Sequence, residues 1–134
     1  MADLNGKVAV IMGAAGRDNM GQAIARRFME DGAQVVVAGR HDDELARFAE
    51  ETGAGHAVGD LTSESDLAAV MQVAVDRFGG LDIAVNATGW GLLAPFLETK
   101  REDLEKMVQL QFVGSFLFYQ AALRAMRDGG SIIQ

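Results

Sequence analysis

Short apolar runs alternate with longer segments of helical periodicity along this 134-residue chain. The runs are Lys7–Met12, Gln34–Ala38, His56–Gly59 and Leu81–Asn86, and a fifth run begins at Ser131. Such alternation is typical of βαβ units with a parallel sheet. The first run is continuously apolar, as expected for a strand that helices cover on both faces of the sheet. The sequence therefore predicts an α/β fold, a doubly wound parallel sheet with strand order 3-2-1-4 that breaks off at the start of a fifth strand.

Helix signals lie between these runs. Ser63 with Asp66 resembles a capping box, which predicts that a helix begins there. Thr99 with Glu102 forms a second such pattern, and it predicts one long helix that continues to about Arg127.

Composition excludes several classes of function. The net charge of −7 makes nucleic acid and membrane surfaces poor partners, because both carry negative charge. The chain has no Cys, so disulfides, thiolate catalysis and zinc–thiolate sites are ruled out. No His, Asp or Glu cluster has metal-ligand spacing, and the amino terminus lacks the pattern of a signal peptide. We expect a cytoplasmic protein that binds no metal.

A glycine-rich turn follows the first run. Glycines there let backbone N–H groups approach a pyrophosphate, and the next helix directs its amino terminus at that charge. The alternative is an ordinary strand-to-helix loop. The candidate cofactor contacts in this turn are Gly13, Arg17, Asn19, Met20 and Gly21.

The end of the second run carries a possible phosphate ligand. In dinucleotide-binding folds this position meets the adenosine ribose, about 20 residues after the glycine motif. Arg40 stands there instead of an acid, and a guanidinium suits a 2′-phosphate. Arg17 is a second candidate positive charge for the 2′-phosphate, and His41 is a further candidate contact. The sequence therefore predicts NADP(H) as the preferred cofactor, with NAD(H) possible, unless Arg40 is only a solvated turn residue.

Two further segments end strands near the same edge. Asp60 and Leu61 follow the third run, where a carboxylate and an N–H group suit the adenine, although Asp60 also suits a turn or an N-cap.

The four residues that close the fourth run bring small side chains to the switch point of the sheet. We expect Asn86 to tie the central strands together through its amide. The candidate contacts of this second segment are Asn86, Ala87, Thr88 and Gly89.

Taken together, these segments resemble the short-chain dehydrogenase/reductase family, a family with the Rossmann fold. Met12–Ala25 looks like its nucleotide loop and first helix, and Asp60–Thr62 resembles its adenine-contacting Asp-Val-Thr element. Leu81–Gly89 resembles its Leu-Asp-x-x-Val-Asn-Asn-Ala-Gly element, and Gly129–Ile133 the approach to its serine-bearing strand. The resemblance covers the whole chain in register.

Three departures from the family pattern matter. The loop from Gly13 to Gly21 is longer than usual and is similar to that of the enoyl-acyl-carrier-protein reductase branch. Residues 86–89 are Asn-Ala-Thr-Gly, whereas the family element usually ends in Asn-Asn-Ala-Gly. Gln111 stands where the family often has an asparagine that orders a water in its proton relay, so Gln111 is a weak catalytic candidate.

The family's catalytic serine and Tyr-x-x-x-Lys are not in this sequence. Tyr119 is the only tyrosine, and Leu123 rather than Lys follows four residues later. We interpret Tyr119 as a packing residue on a face with Phe112 and Phe116, which is either core or a subunit interface. The resemblance implies that residues 1–134 form an incomplete dinucleotide-binding domain and that the catalytic half lies beyond Gln134.

The resemblance implies an NADP(H)-dependent oxidoreductase that moves hydride between nicotinamide and a carbonyl or alcohol carbon. Its partners would be a small carbonyl, alcohol or enoyl substrate and further copies of itself, as a dimer or tetramer. An enoyl-thioester reductase is the alternative within the family. Two alternatives come from other classes of protein. One is a non-catalytic dinucleotide-binding module, if the natural chain has 134 residues, and the other is a scaffold protein that no longer binds a ligand.

Overall fold

The computed structural model describes residues 3–134 and shows one sheet of five parallel strands in the order 3-2-1-4-5. This confirms the predicted doubly wound sheet. Met1 and Ala2, part of the amino-terminal stretch in which we expect no signal peptide, lie outside the described residues. The elements in chain order are β1 (Val8–Met12), α1 (Met20–Glu30), β2 (Gln34–Gly39), α2 (Asp42–Thr52), β3 (Gly55–Val58), α3 (Glu64–Phe78), β4 (Ile83–Asn86), a 3₁₀ turn (Phe96–Glu98), α4 (Arg101–Met107), a π-helical segment (Val108–Val113), α5 (Gly114–Ala125) and β5 (Ser131–Ile133).

The core lies in two layers, one on each face of the sheet. Alternate residues of β1 point to opposite faces. Val8, Val10 and Met12 contact the layer that α3 and α5 cover, while Ala9 and Ile11 contact the layer of α1 and α2. All five residues of this strand are buried, which explains why the run is continuously apolar.

The Ser63 cap confirms where α3 begins. Its hydroxyl accepts a hydrogen bond from the Asp66 N–H, as an N-cap does. The reciprocal half of the capping box is absent, because the Asp66 carboxylate accepts the N–H of Asp60 instead (2.9 Å). Asp66 therefore ties the start of α3 to the loop that follows β3.

The predicted single helix from residue 99 to 127 is wrong in its start and in its continuity. The helix begins at Arg101, and Lys100 occupies the N-cap position without a side-chain cap. The Thr99 hydroxyl donates to the Pro95 carbonyl and so serves the preceding 3₁₀ turn. A π-helical segment separates α4 from α5, and α5 ends at Ala125.

The apolar face of α5 is divided between core and surface. Phe118 is fully buried, and Tyr119 packs partly against the same cluster, which confirms its reading as a packing residue. Phe112 and Phe116 are exposed, so the core alternative is wrong for them. Within residues 3–134, no helix is long and apolar enough to cross a bilayer.

Candidate functional site

A cavity of about 700 Å³ opens at the carboxyl ends of the central strands. In doubly wound sheets this edge is where ligands bind, at the switch point of the strand order. Nine of the predicted site residues line the cavity, namely Gly13, Asn19, Arg40, His41, Asp60, Leu61, Ala87, Thr88 and Gly89. The remaining five, which do not line it, are Arg17, Met20, Gly21, Asn86 and Gln111.

Gly13 and Gly21 let the turn after β1 fold tightly. Gly13 has φ of +92°, and a Cβ atom there would lie 2.6 Å from the backbone nitrogen of Thr88. A Cβ on Gly21 would lie 2.6 Å from the Gly13 carbonyl oxygen. Gly21 thus serves close packing of α1 on the turn. A side chain at either position would change the shape of the cavity wall.

Asn19 caps α1 and braces the same turn. Its side-chain oxygen accepts the N–H of Gln22 at 3.0 Å, and its Nδ2 donates to the Gly13 carbonyl at 2.9 Å. Met20, the first residue of the helix, is 72% exposed and does not line the cavity. The turn therefore presents mainly small residues and backbone to the cavity.

Arg40 and His41 lie where β2 ends, and both are exposed at the cavity wall. Gly39 packs so closely on the glycine turn that a Cβ atom there would meet the Ala15 methyl at 2.6 Å. Arg17 does not line the cavity, and its Nε lies 3.7 Å from a carboxylate oxygen of Glu44. Arg40 is thus the arginine that lines this cavity.

Asp60 is held as an anion at the end of β3. The hydroxyl and the N–H of Thr62 donate to its Oδ1 at 2.7 and 2.8 Å. These bonds, with a contribution from the positive charge of Arg40, hold the pKa of Asp60 below its usual range. The turn role considered for Asp60 is therefore observed, and within residues 3–134 no donor binds its Oδ2.

Thr88 lines the cavity beside β1, and Asn86 holds the segment that carries it. The Asn86 Nδ2 donates to the Gln134 side-chain oxygen at 3.0 Å, and its Oδ1 accepts the Thr88 N–H at 3.1 Å. The Asn86 amide therefore joins the end of β4 to the residue after β5. Thr88 Oγ1 is buried and has no hydrogen-bond partner within residues 3–134. A buried hydroxyl without a partner is costly, and a bound ligand would relieve that cost.

Sequence reasoning missed the cavity wall that the helix around residue 108 supplies. Lys106, Gln109 and Leu110 line the cavity, and the Lys106 ammonium lies 4.6 Å from the centre of the Trp90 ring. Their spacing of three and four residues places them on one helix face. That spacing was visible in the sequence. Gln111 lies on another face and donates to the Trp90 carbonyl.

The residues present fit a dinucleotide on three structural observations. The turn after β1 is a cradle that Cβ atoms would fill, Thr88 has a buried hydroxyl with no partner within residues 3–134, and Arg40 places an exposed cation on the cavity wall at the end of β2. Within the described residues, no group of three His, Asp or Glu side chains has the arrangement of a metal site.

Comparison with known proteins agrees with this geometry. The family model described as Enoyl-(Acyl carrier protein) reductase matches residues 13–134. The chain belongs to the short-chain dehydrogenase/reductase family. A crystal structure of a short-chain type dehydrogenase/reductase from Mycobacterium marinum superposes with a TM-score of 0.88 at 35% identity, covering 97% of this chain and 55% of that one. A short chain dehydrogenase from Mycobacterium smegmatis gives 0.90 at 28% identity, covering 97% and 57%.

Curated relatives are oxidoreductases. An uncharacterized oxidoreductase of Staphylococcus aureus is 32% identical over 134 residues, which are 98% of this chain and 57% of that protein. The (5R,7aS)-5-hydroxy-7a-methyl-1-oxo-2,3,5,6,7,7a-hexahydro-1H-indene-carboxyl-CoA reductase of Mycobacterium tuberculosis is 34% identical over 139 residues, covering 97% and 53%. The chain thus spans little more than half the length of these relatives.

Proposed function

We propose that this chain binds NADP(H) in the cavity at the carboxyl ends of β1, β2 and β4. The observation that carries the proposal is Arg40, an exposed guanidinium on the cavity wall at the end of β2. An acid at this position would bind a ribose 2′-hydroxyl and repel a 2′-phosphate. Arg40 instead attracts a phosphate dianion and binds it with paired N–H groups.

The rest of the cofactor would lie along the cavity. The pyrophosphate would meet the backbone of the turn between Gly13 and Asn19, and the adenine would meet Asp60 Oδ2 and the Leu61 N–H. When bound, NADP(H) would supply the chemistry of hydride transfer, because a carbon of its nicotinamide ring gives or takes the hydride. The residues of this chain would bind and orient the cofactor, and Trp90 would help to exclude water.

A charge reversal at Arg40 tests the choice of cofactor. Arg40→Asp is expected to weaken NADPH binding by about 10- to 100-fold, because it removes a charge-assisted hydrogen bond of ~1.5–3 kcal/mol. NADH binding should change by less than about threefold, since NADH has no 2′-phosphate to lose. Isothermal titration calorimetry measures both affinities.

The matched control is Arg101→Asp, the same charge change at an exposed arginine outside the cavity lining. It separates the loss of a phosphate ligand from the loss of net positive charge. Equal losses of NADPH and NADH affinity in Arg40→Asp would contradict the assignment of Arg40 to the 2′-phosphate.

We propose further that the whole protein is a cytoplasmic oxidoreductase that reduces a carbonyl or oxidises an alcohol. Family membership and oxidoreductase relatives support the reaction class. The sequence contains neither the family's Tyr-x-x-x-Lys nor its serine-bearing strand in full, so we propose that residues 1–134 are the cofactor half and that these groups lie beyond Gln134. Gln111 remains a proposed member of the proton relay.

Reduction of an enoyl thioester is the second candidate. The description of the matching family model and the long loop between Gly13 and Gly21 favour it. The two candidates differ in the substrate that oxidises NADPH. A full-length protein that oxidises NADPH with a crotonyl thioester and not with the matching ketone is an enoyl reductase, and the reverse pattern identifies a carbonyl reductase.

We propose that the whole protein assembles as a homo-oligomer, a dimer or a tetramer. The support is a row of exposed apolar side chains along the π-helical segment and α5, formed by Phe112, Phe116 and Leu123. Exposed apolar rows of this kind mark interaction surfaces. Analytical ultracentrifugation of the full-length protein measures the state, and a monomer at all concentrations would contradict the proposal.

A further inference from the structure

Gln22 is fully buried in the first turn of α1, although its side chain is polar and does not line the cavity. Its Nε2 donates to the Ala14 carbonyl at 3.0 Å. Its Oε1 accepts the N–H of Asp18, also at 3.0 Å. One side chain thus joins two backbone groups of the glycine turn that are four residues apart.

Neighbouring donors determine which way the Gln22 amide points. The Asp18 N–H needs an acceptor, and the Arg47 Nη2, which lies 3.4 Å from the Gln22 oxygen, is also a donor. The oxygen must therefore face them, which leaves the NH₂ group for the Ala14 carbonyl. Arg47 is itself held by Glu44 and Glu51 of α2, so the amide is anchored to a second helix.

The glycine turn needs hydrogen bonds that hold its backbone in place. Asp18 has φ of +52°, a left-handed conformation that is unfavourable for a residue with a Cβ atom. The turn between β1 and α1 also spans seven residues, 13–19, and a loop of this length has many conformations to lose when it is ordered. The Gln22 amide holds the turn at Ala14 and at Asp18, on either side of the two residues Ala15 and Gly16 that line the cavity.

We propose that Gln22 is a positioning residue that holds this turn ready for the cofactor pyrophosphate. The inference rests on the proposed binding of NADP(H), because it concerns how that site is prepared. A turn that is already ordered does not have to lose conformational freedom when the ligand binds. Gln22 therefore raises affinity for ligands that carry a pyrophosphate and has little effect on ligands that lack one.

Two variants of Gln22 and two ligands test this role. Gln22→Leu removes both hydrogen bonds to the turn at similar volume, while Gln22→Glu keeps the acceptor for Asp18 and Arg47 and loses the donor to Ala14. The ligands are NADPH and adenosine 2′-monophosphate, which has the adenosine and the 2′-phosphate but no pyrophosphate. Calorimetry on the purified full-length protein measures each affinity at a temperature where the protein is folded.

We expect Gln22→Leu to weaken NADPH binding by about tenfold, the effect of losing one to two hydrogen bonds that order the turn. Gln22→Glu should show a loss of similar size, because a carboxylate oxygen would then face the Ala14 carbonyl oxygen with no donor between them, and binding of adenosine 2′-monophosphate should stay within about twofold in both. Met71→Ala is the control, because Met71 is buried in the other core layer and its truncation lowers stability without touching the turn.

Three results overturn the proposal. One is NADPH affinity in a folded Gln22 variant that equals that of the unaltered chain. The second is an equal loss of affinity for both ligands in the Gln22 variants, which marks a general structural role. The third is a loss of NADPH affinity in Met71→Ala as large as that in Gln22→Leu, which marks the same. If Gln22→Leu does not fold, Gln22→Glu carries the same comparison. Failure of the unaltered chain to bind either ligand identifies the proposed function itself as the error.

Discussion

Two stretches of this molecule have similar apolar residues and opposite surroundings. All five residues of β1 are buried, whereas residues 89–113, called here the open segment, contain no buried residue. Leu93, Phe96 and Leu97 in the open segment are almost fully exposed. An apolar side chain is therefore not buried by its chemistry alone, since burial also needs a neighbouring element that presents a matching apolar face.

The contrast extends to local structure. In the sheet and its covering helices, apolar period, turn glycines and caps agree with one another, and such agreement is what makes a segment predictable. In the open segment Thr99 and Glu102 formed a capping signal that the chain does not use. The following predictions compare matched residues in the two regions.

The largest expected difference is between two phenylalanines six residues apart. Phe118→Ala is expected to lower the free energy of unfolding by about 3–5 kcal/mol, because it leaves a cavity in the core. Phe112→Ala, at a position 74% exposed, should change it by no more than about 0.5 kcal/mol. Urea denaturation measures both, and similar losses would show that the open segment is packed in solution.

Two glycines give the next comparison. Gly13→Ala combines a left-handed backbone with a Cβ atom 2.6 Å from the Thr88 nitrogen, and we expect a loss of about 3 kcal/mol. A Cβ atom on Gly91 would meet nothing within 4 Å, so Gly91→Ala should be neutral within about 0.5 kcal/mol. Thermal denaturation distinguishes them, and a neutral Gly13→Ala would mean that the turn relaxes at no cost.

The two capping signals give a smaller difference. Ser63→Ala is expected to lower the free energy of unfolding by about 1 kcal/mol, because α3 loses the acceptor for the Asp66 N–H. Thr99→Ala should cost less than about 0.5 kcal/mol, because the Thr99 hydroxyl caps no helix. Equal losses in chemical denaturation would indicate that the predicted cap at Thr99 forms in solution.

The smallest expected effect is local and lies within the open segment. Gln111→Ala removes the hydrogen bond to the Trp90 carbonyl, and trypsin should then cut after Lys100, Arg101 or Lys106 about fivefold faster, the effect of one hydrogen bond. Global stability should not change. Gln109→Ala is the control in the same turn, and an equal acceleration there would assign the effect to the loss of any glutamine side chain from this turn rather than to the bond.

Much of the fold and part of the site followed from the sequence. The buried strands were predictable because β-branched runs between turn glycines have few other ways to bury themselves. Gly13, Arg40 and Asp60 were predicted from their places at strand ends, and they line one cavity because parallel strands end at one edge. Whether each residue contacts a cofactor stays a prediction.

What the sequence alone determined is the order of elements, the parallel sheet and the positions where strands end, since these depend on local period and turn chemistry. Only the tertiary structure decided which side chains reach the cavity. Arg17 pairs with Glu44, Gln22 turns inward to hold the turn, and Lys106 comes to the cavity wall over Trp90. These outcomes depend on contacts between residues far apart in the chain, and short-range sequence patterns do not encode the distances between such residues.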